Sequence, residues 1–158
     1  MKREANAIIV LSRTRPANLG HVGWGYEYPD GTWCVGAIEK TLFQNFPNGF
    51  WKRRARNLED AINYFRKMEA RFDATYHEFK YLRADSPPNW NAADHKMFWV
   101  QQQPYGVAGR NCMNSTYDIL CAFSQGGHYN GQLLPQPDNN WIPNWWFDKI
   151  VASSVHKI

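Results

Sequence analysis

The chain has 158 residues, 44% hydrophobic and 20% charged, a balance that excludes intrinsic disorder. Eleven Gly and nine Pro exclude collagen-like and low-complexity classes, and the length suits one domain with its own core. The net charge of +4 permits an anionic partner without naming one. Aromatic residues reach 16% beside a mean hydropathy of −0.62, so rings supply apolar mass and some are expected to line a groove.

Taken in chain order, Asn6–Ser12 reads as a short buried strand around the apolar run 7–11. Five aliphatic residues neither span a bilayer nor form the core of a signal peptide, so the expected location is cytoplasmic, with export only by a non-classical route. Gly20–Tyr28 and Thr32–Lys40 read as two strands around Pro29-Asp30-Gly31, a three-residue hairpin loop. That loop pairs Tyr26 with Cys34 and Trp24 with Gly36, and carried to the end it places His21 opposite Glu39. A two-residue turn would instead bring Lys40 across from His21. Trp51–Arg56 is the one strong basic cluster. It reads as a solvated approach to a helix, against contact with phosphate and stacking by Trp51.

Asn57 is a good N-cap, with Glu59 and Asp60 in the first turn and Leu58, Ala61, Ile62, Phe65, Met68 and Phe72 at helical spacing. Tyr76–Arg83 alternates as a strand. Beyond Ser86-Pro87-Pro88, Asn91 is expected to cap a helix over Ala92–Gln103, and another helix is expected over Cys112–Ser124. A Pro- and Asn-rich loop leads to a last short helix near Trp145–Val151, whose rings read as fasteners of the tail rather than a sugar platform. These elements make an α+β domain with an antiparallel sheet.

Three cysteines without CxxC spacing argue against a disulfide framework. No histidine or cysteine pair has ligand spacing, so neither a metal nor a cofactor is expected. Cys112 follows a Gly-containing loop, Pro104–Asn111, and opens a predicted helix. Free N–H groups and the dipole there lower a thiol pKa, and the N–H groups of Cys112 and Met113 can hold an oxyanion. Cys121, nine residues on, faces the other way. A small buried residue is the equally weighted alternative for Cys112. His21 has the best context for a base. It shares a strand face with Gly23 and Gly25, which leaves room for another element or a substrate backbone. Glu39 across the hairpin would orient its ring, with a solvated strand-end charge as the equally weighted alternative.

Pro104-Tyr105, Gly109 and Asn111-Cys112, followed by a helix, resemble the nucleophile motif of NlpC/P60-type cysteine peptidases. The order, with His21 early and Asn111-Cys112 late, is similar to the circularly permuted branch of that papain-like superfamily. Relatives there include lecithin–retinol acyltransferase-like proteins and bacterial lipoprotein-type hydrolases. The resemblance covers His21–Glu39 and Pro104–Val151. It implies a single papain-like domain over residues 1–158, its antiparallel sheet packed against the helix that carries the nucleophile. Cys112 would be that nucleophile, His21 the base and Glu39 the polar third group, with Tyr105, Asn111 and Trp24 as substrate contacts. The groove would lie between the hairpin and the Cys112 helix. Residues 43–83 read as an insertion that caps or narrows it. Asn111-Cys112-Met113-Asn114 stands where the peptidases have Asp-Cys-Ser-Gly, a departure from the peptidoglycan branch.

The implied activity is thiol-dependent cleavage of an amide through an acyl-enzyme, with a bacterial cell-wall peptide (peptidoglycan) as the substrate class. Lipid acyl transfer by the same fold is one alternative. A non-catalytic aromatic and basic module for a glycan or nucleic acid is the other, although nucleic acid is not the expected partner.

Overall fold

The apolar run of the first strand, β1 (Ala7–Ser12), is buried at every position, because β1 lies inside a sheet covered on both faces. The structure is a computed structural model that describes residues 5–14, 19–39, 49–68, 75–103, 112–139, 142–151 and 155–158. The remaining strands of the large sheet are β2 (His21–Glu27), β3 (Trp33–Ile38), β4 (Phe50–Ala55), β5 (Glu78–Leu82) and, last in the chain, β8 (Val155–Lys157). Their spatial order is β4-β3-β2-β1-β5-β8, with every neighbouring pair antiparallel. Two short strands, β6 (His128–Tyr129) and β7 (Gln132–Leu133), pair separately.

The two sheet faces are covered by different helices. Alternate residues of β1 and β2, among them Ile9, Leu11, Val22, Trp24 and Tyr26, pack under α2 (Trp90–Gln101), α3 (Cys112–Phe123) and α4 (Pro143–Lys149). The intervening residues Ile8, Val10, Val35, Ala37 and Trp51 pack under α1 (Leu58–Arg66). Strand alternation thus splits the apolar residues into two cores, one on each side of one sheet. The α+β class and the antiparallel sheet expected from the sequence are present.

The hairpin register is the one that its loop length dictates. Trp24 pairs with Gly36 and Tyr26 with Cys34, and the Tyr28 N–H donates to the Thr32 carbonyl at 2.8 Å. Asn57 caps α1, its side chain accepting from the Asp60 N–H at 2.9 Å. The cap of α2 is Asn89, whose side chain accepts from the Ala92 N–H at 3.0 Å, and not Asn91, which sits exposed in the first turn. Two Asn residues two apart offer the same local chemistry; the earlier one wins because Trp90 already takes helical dihedrals.

Trp51–Arg56 corrects the expectation of a solvated helix approach. Its residues 51–55 fall within β4, the sheet edge, with Trp51 and Ala55 buried and Lys52 and Arg54 exposed. Cationic side chains suit an edge strand because they discourage pairing with another chain. Residues 43–83, which read as an insertion, supply β4, α1 and β5, and β5 pairs along the length of β1. Phe72 lies outside the described residues. Among the described residues no helix is long and apolar enough to cross a membrane.

Candidate active site

His21 opens β2, and its placement is fixed from behind. The preceding Gly20 has φ +103°, a left-handed conformation that glycine adopts freely. A Cβ there would lie 2.5 Å from Asn144 Oδ1, so the glycine also lets the start of α4 close against the chain. The Asn144 N–H donates to the Leu19 carbonyl at 3.0 Å, and its Nδ2 donates to the Arg13 carbonyl at 3.1 Å. The room left by Gly23 is taken by an element of the protein itself: a Cβ at that position would sit 2.7 Å from Phe65 of α1.

The pairing of β2 with β3 runs only as far as Trp24–Gly36. Backbone direction then decides what meets the loose end. The Glu27 N–H bonds to Asn6 on the β1 side and the Tyr28 N–H to Thr32 on the β3 side, so even-numbered N–H groups of β2 point toward β3. The Val22 N–H points the same way, past the end of the ladder, and hydrogen-bonds the Cys112 sulfur. Cys112, the first residue of α3, reaches this rim from the opposite face of the sheet from His21 and Glu39. Its thiol is also hydrogen-bonded to the His21 ring.

His21 Nε2 lies 3.2 Å from Glu39 Oε2, which leaves Nδ1 as the ring nitrogen for the thiol. The ring N–H is not well aligned with that oxygen, so the contact is an ion pair more than a hydrogen bond. The other carboxylate oxygen, Oε1, accepts from Trp51 Nε1 at 3.0 Å and from the Tyr76 hydroxyl. Glu39 is fully buried, Cys112 is 4% exposed and His21 5%. At such burial a charge persists only where others compensate it.

Compensation is what separates Cys112 from the other two thiols. Burial alone pushes a thiol up, and it does so at Cys34, and at Cys121, which reaches about 11. At Cys112 burial acts the same way, but the His21 charge, the His21 hydrogen bond and the Val22 N–H outweigh it and hold the thiol below its ordinary value. For His21, burial disfavours the charged ring, while Cys112 and then Glu39 favour it; the result is pushed up to about 9. The arrangement is a thiol beside an imidazole at the start of a helix, backed by a buried carboxylate, with the thiol held down and the ring held up by each other. None of the three cysteines is in a disulfide, and among the described residues no three His, Cys, Asp or Glu converge as metal ligands.

Of the expected substrate contacts, Tyr105 and Asn111 lie outside the described residues. Trp24 is a correction: it is fully buried, stacked on Tyr26 at 6.1 Å and tilted against Phe50, so its ring belongs to the core. Among the described residues, Trp24, Tyr26 and Phe123 fill the space between the middle of the hairpin and α3. Two clefts of 460 and 320 Å³ are lined by described residues around Tyr28, and neither includes Cys112, His21 or Glu39.

Trp51, weighed as a base- or sugar-stacking ring, is 4% exposed with its N–H on Glu39. Trp146 is buried and bonds the Pro135 carbonyl, which fastens the tail as expected, whereas Trp145 is 59% exposed. Sequence reasoning missed Tyr76 and the true role of Trp51. The β3–β4 connection is too long to set a register, so no local signal could have brought either residue to Glu39. Compared with family models, with curated proteins and with solved structures, the chain matches none of them.

Proposed function

We propose that this protein is a thiol hydrolase of the papain-like, circularly permuted NlpC/P60 type, which cleaves an amide through an acyl-enzyme on Cys112. One observation carries the reading: of three cysteines, only the one that opens a helix meets a histidine, and that histidine is backed by a carboxylate. The early-His, late-Cys order supports the permuted branch. A bacterial cell-wall peptide is the substrate class that the resemblance implies.

The Cys112 thiolate attacks the amide carbonyl carbon, and the new oxyanion lies against N–H groups at the α3 start, which have no acceptor within the helix. The His21 imidazolium gives its proton to the leaving nitrogen as the C–N bond breaks. A water molecule, deprotonated by the now neutral His21, attacks the thioester carbonyl. Collapse releases the carboxylic acid and restores thiolate and imidazolium. Glu39 keeps one tautomer and orientation of the ring throughout and stabilises its charged form.

The test is alkylation by iodoacetamide at pH 6, followed by peptide mapping, beside hydrolysis of peptidoglycan stem peptides. The reagent must be small because so little of the thiol is exposed. Selective labelling of Cys112, at least tenfold faster than Cys34 or Cys121 and abolished in His21→Ala, is expected. Equal labelling of the three thiols removes the nucleophile, and labelling without amide hydrolysis removes the substrate class.

A further inference from the structure

Burying a carboxylate completely costs several kcal/mol unless every lone pair is used, and Glu39 is a fully buried carboxylate. Its two oxygens have different work. Oε2 faces His21, while Oε1 takes the Trp51 N–H and the Tyr76 hydroxyl. The two donors come from different places in the chain, Trp51 from edge strand β4 and Tyr76 from just before β5. Both are locked by one ring. Phe65 of α1 meets Trp51 edge-on at 5.2 Å and Tyr76 edge-on at 5.0 Å, and it rests on Gly23, two residues from His21. Tyr76 is 5% exposed and Trp51 4%, so water does not compete for the carboxylate from their side.

We infer that Tyr76 and Trp51 are positioning residues of the catalytic site, which hold Glu39 ionised with Oε2 turned to His21. The inference rests on the hydrolase reading for its catalytic meaning, but not for its physics. With both donors in place, Oε1 is pinned and the carboxylate cannot rotate its Oε2 away from the imidazole. Without one of them, the carboxylate takes up a proton more readily or turns, and the imidazolium loses part of its counter-charge. His21 then releases its proton at lower pH. A residue that merely packed in the core would change stability and leave that titration where it is.

The experiment is the titration of the His21 ring followed by NMR in the intact protein, for wild type, Tyr76→Phe, Trp51→Phe, Glu39→Gln and the double variant Glu39→Gln/Tyr76→Phe. Iodoacetamide rates at Cys112 are measured on the same samples. Tyr76→Phe keeps the ring and its packing, so it tests the hydroxyl even if Trp51→Phe fails to fold. The expected result is a downward shift of His21 by about half to one pH unit in Tyr76→Phe, and a larger one in Glu39→Gln. The double variant should match Glu39→Gln, because a residue that acts through Glu39 has nothing left to act on. Two results overturn the inference: a His21 titration that Tyr76→Phe does not move, or a hydroxyl effect that persists undiminished beside Glu39→Gln. Unselective alkylation of Cys112 in the wild type would instead overturn the hydrolase reading, whatever His21 does.

Discussion

At the residue scale the pair Cys112–His21 sets opposite pH limits on two different measurements. Thiolate is lost as pH falls through the depressed value of Cys112, so alkylation and hydrolysis should both decline on the acid side. On the alkaline side they should part. On the proposed mechanism, His21 should lose the proton that the leaving nitrogen needs once pH rises through about 9, and hydrolysis should fall. Alkylation needs no acid and should hold or rise there. A parallel fall of both rates above pH 9 would mean that His21 is not the proton donor. The sign for stability follows from the same shift. A histidine raised in the folded state stabilises fully below its usual 6.5, and that contribution drains away as pH rises through about 9.

At the element scale, the competition between two asparagines before α2 is a clean test of capping. Asn89 bonds the Ala92 N–H, while Asn91 is an exposed residue of the first turn. Asn89→Ala should cost about 1 kcal/mol in urea unfolding, whereas Asn91→Ala should stay within about 0.5 kcal/mol of wild type. Equal effects would mean that the cap bond contributes nothing. The edge strand β4 carries a second lesson. A run of Lys and Arg between Trp51 and Arg56 resembles solvated sequence, yet alternation puts Trp51 inward and Lys52 outward. One inward ring in such a run proved more informative than the charge, because that ring reaches Glu39.

At the scale of the whole molecule, an ion cluster ties the sheet to the last helix. Arg13, just past β1, pairs with Glu78 of β5 and with Asp148 of α4 at 2.8 Å, and Lys157 of β8 lies 3.5 Å from Glu78. Lys80 adds hydrogen bonds from Nζ to the Phe147 and Ile150 carbonyls at the end of α4, 2.5 and 2.9 Å long. Burial alone would push the Glu78 carboxyl up, but Arg13 outweighs it and holds the carboxyl below its usual value. A depressed carboxylate stabilises above its usual pKa of about 4.3 and loses that contribution as pH falls through the lower folded value. Glu78→Gln should therefore unfold about 1–3 kcal/mol more easily at pH 7, with a smaller gap at acid pH, measured by urea denaturation across a pH series. A gap independent of pH would assign the loss to packing instead.

Much of this protein is decided locally. The three-residue loop Pro29–Gly31 sets the hairpin register, which pairs the strands as far as Trp24–Gly36 and aims His21 and Glu39 at each other beyond the end of the ladder. The cap at Asn57 is equally local, written in cap chemistry and first-turn composition. Other facts depend on packing at long sequence separation. Trp24 carries no local mark that tells a groove ring from a core ring; only the layer of α2 and α3 above it decides. Glu39 could be placed beside His21 from the sequence, but the donors that let it stay charged without water, Trp51 and Tyr76, come 12 and 37 residues later. The sequence by itself determined the hairpin register that aims His21 and Glu39 at each other. Tertiary structure decided which other groups reach them, Cys112, Trp51 and Tyr76, because those contacts and the burial around them come from residues remote in the chain.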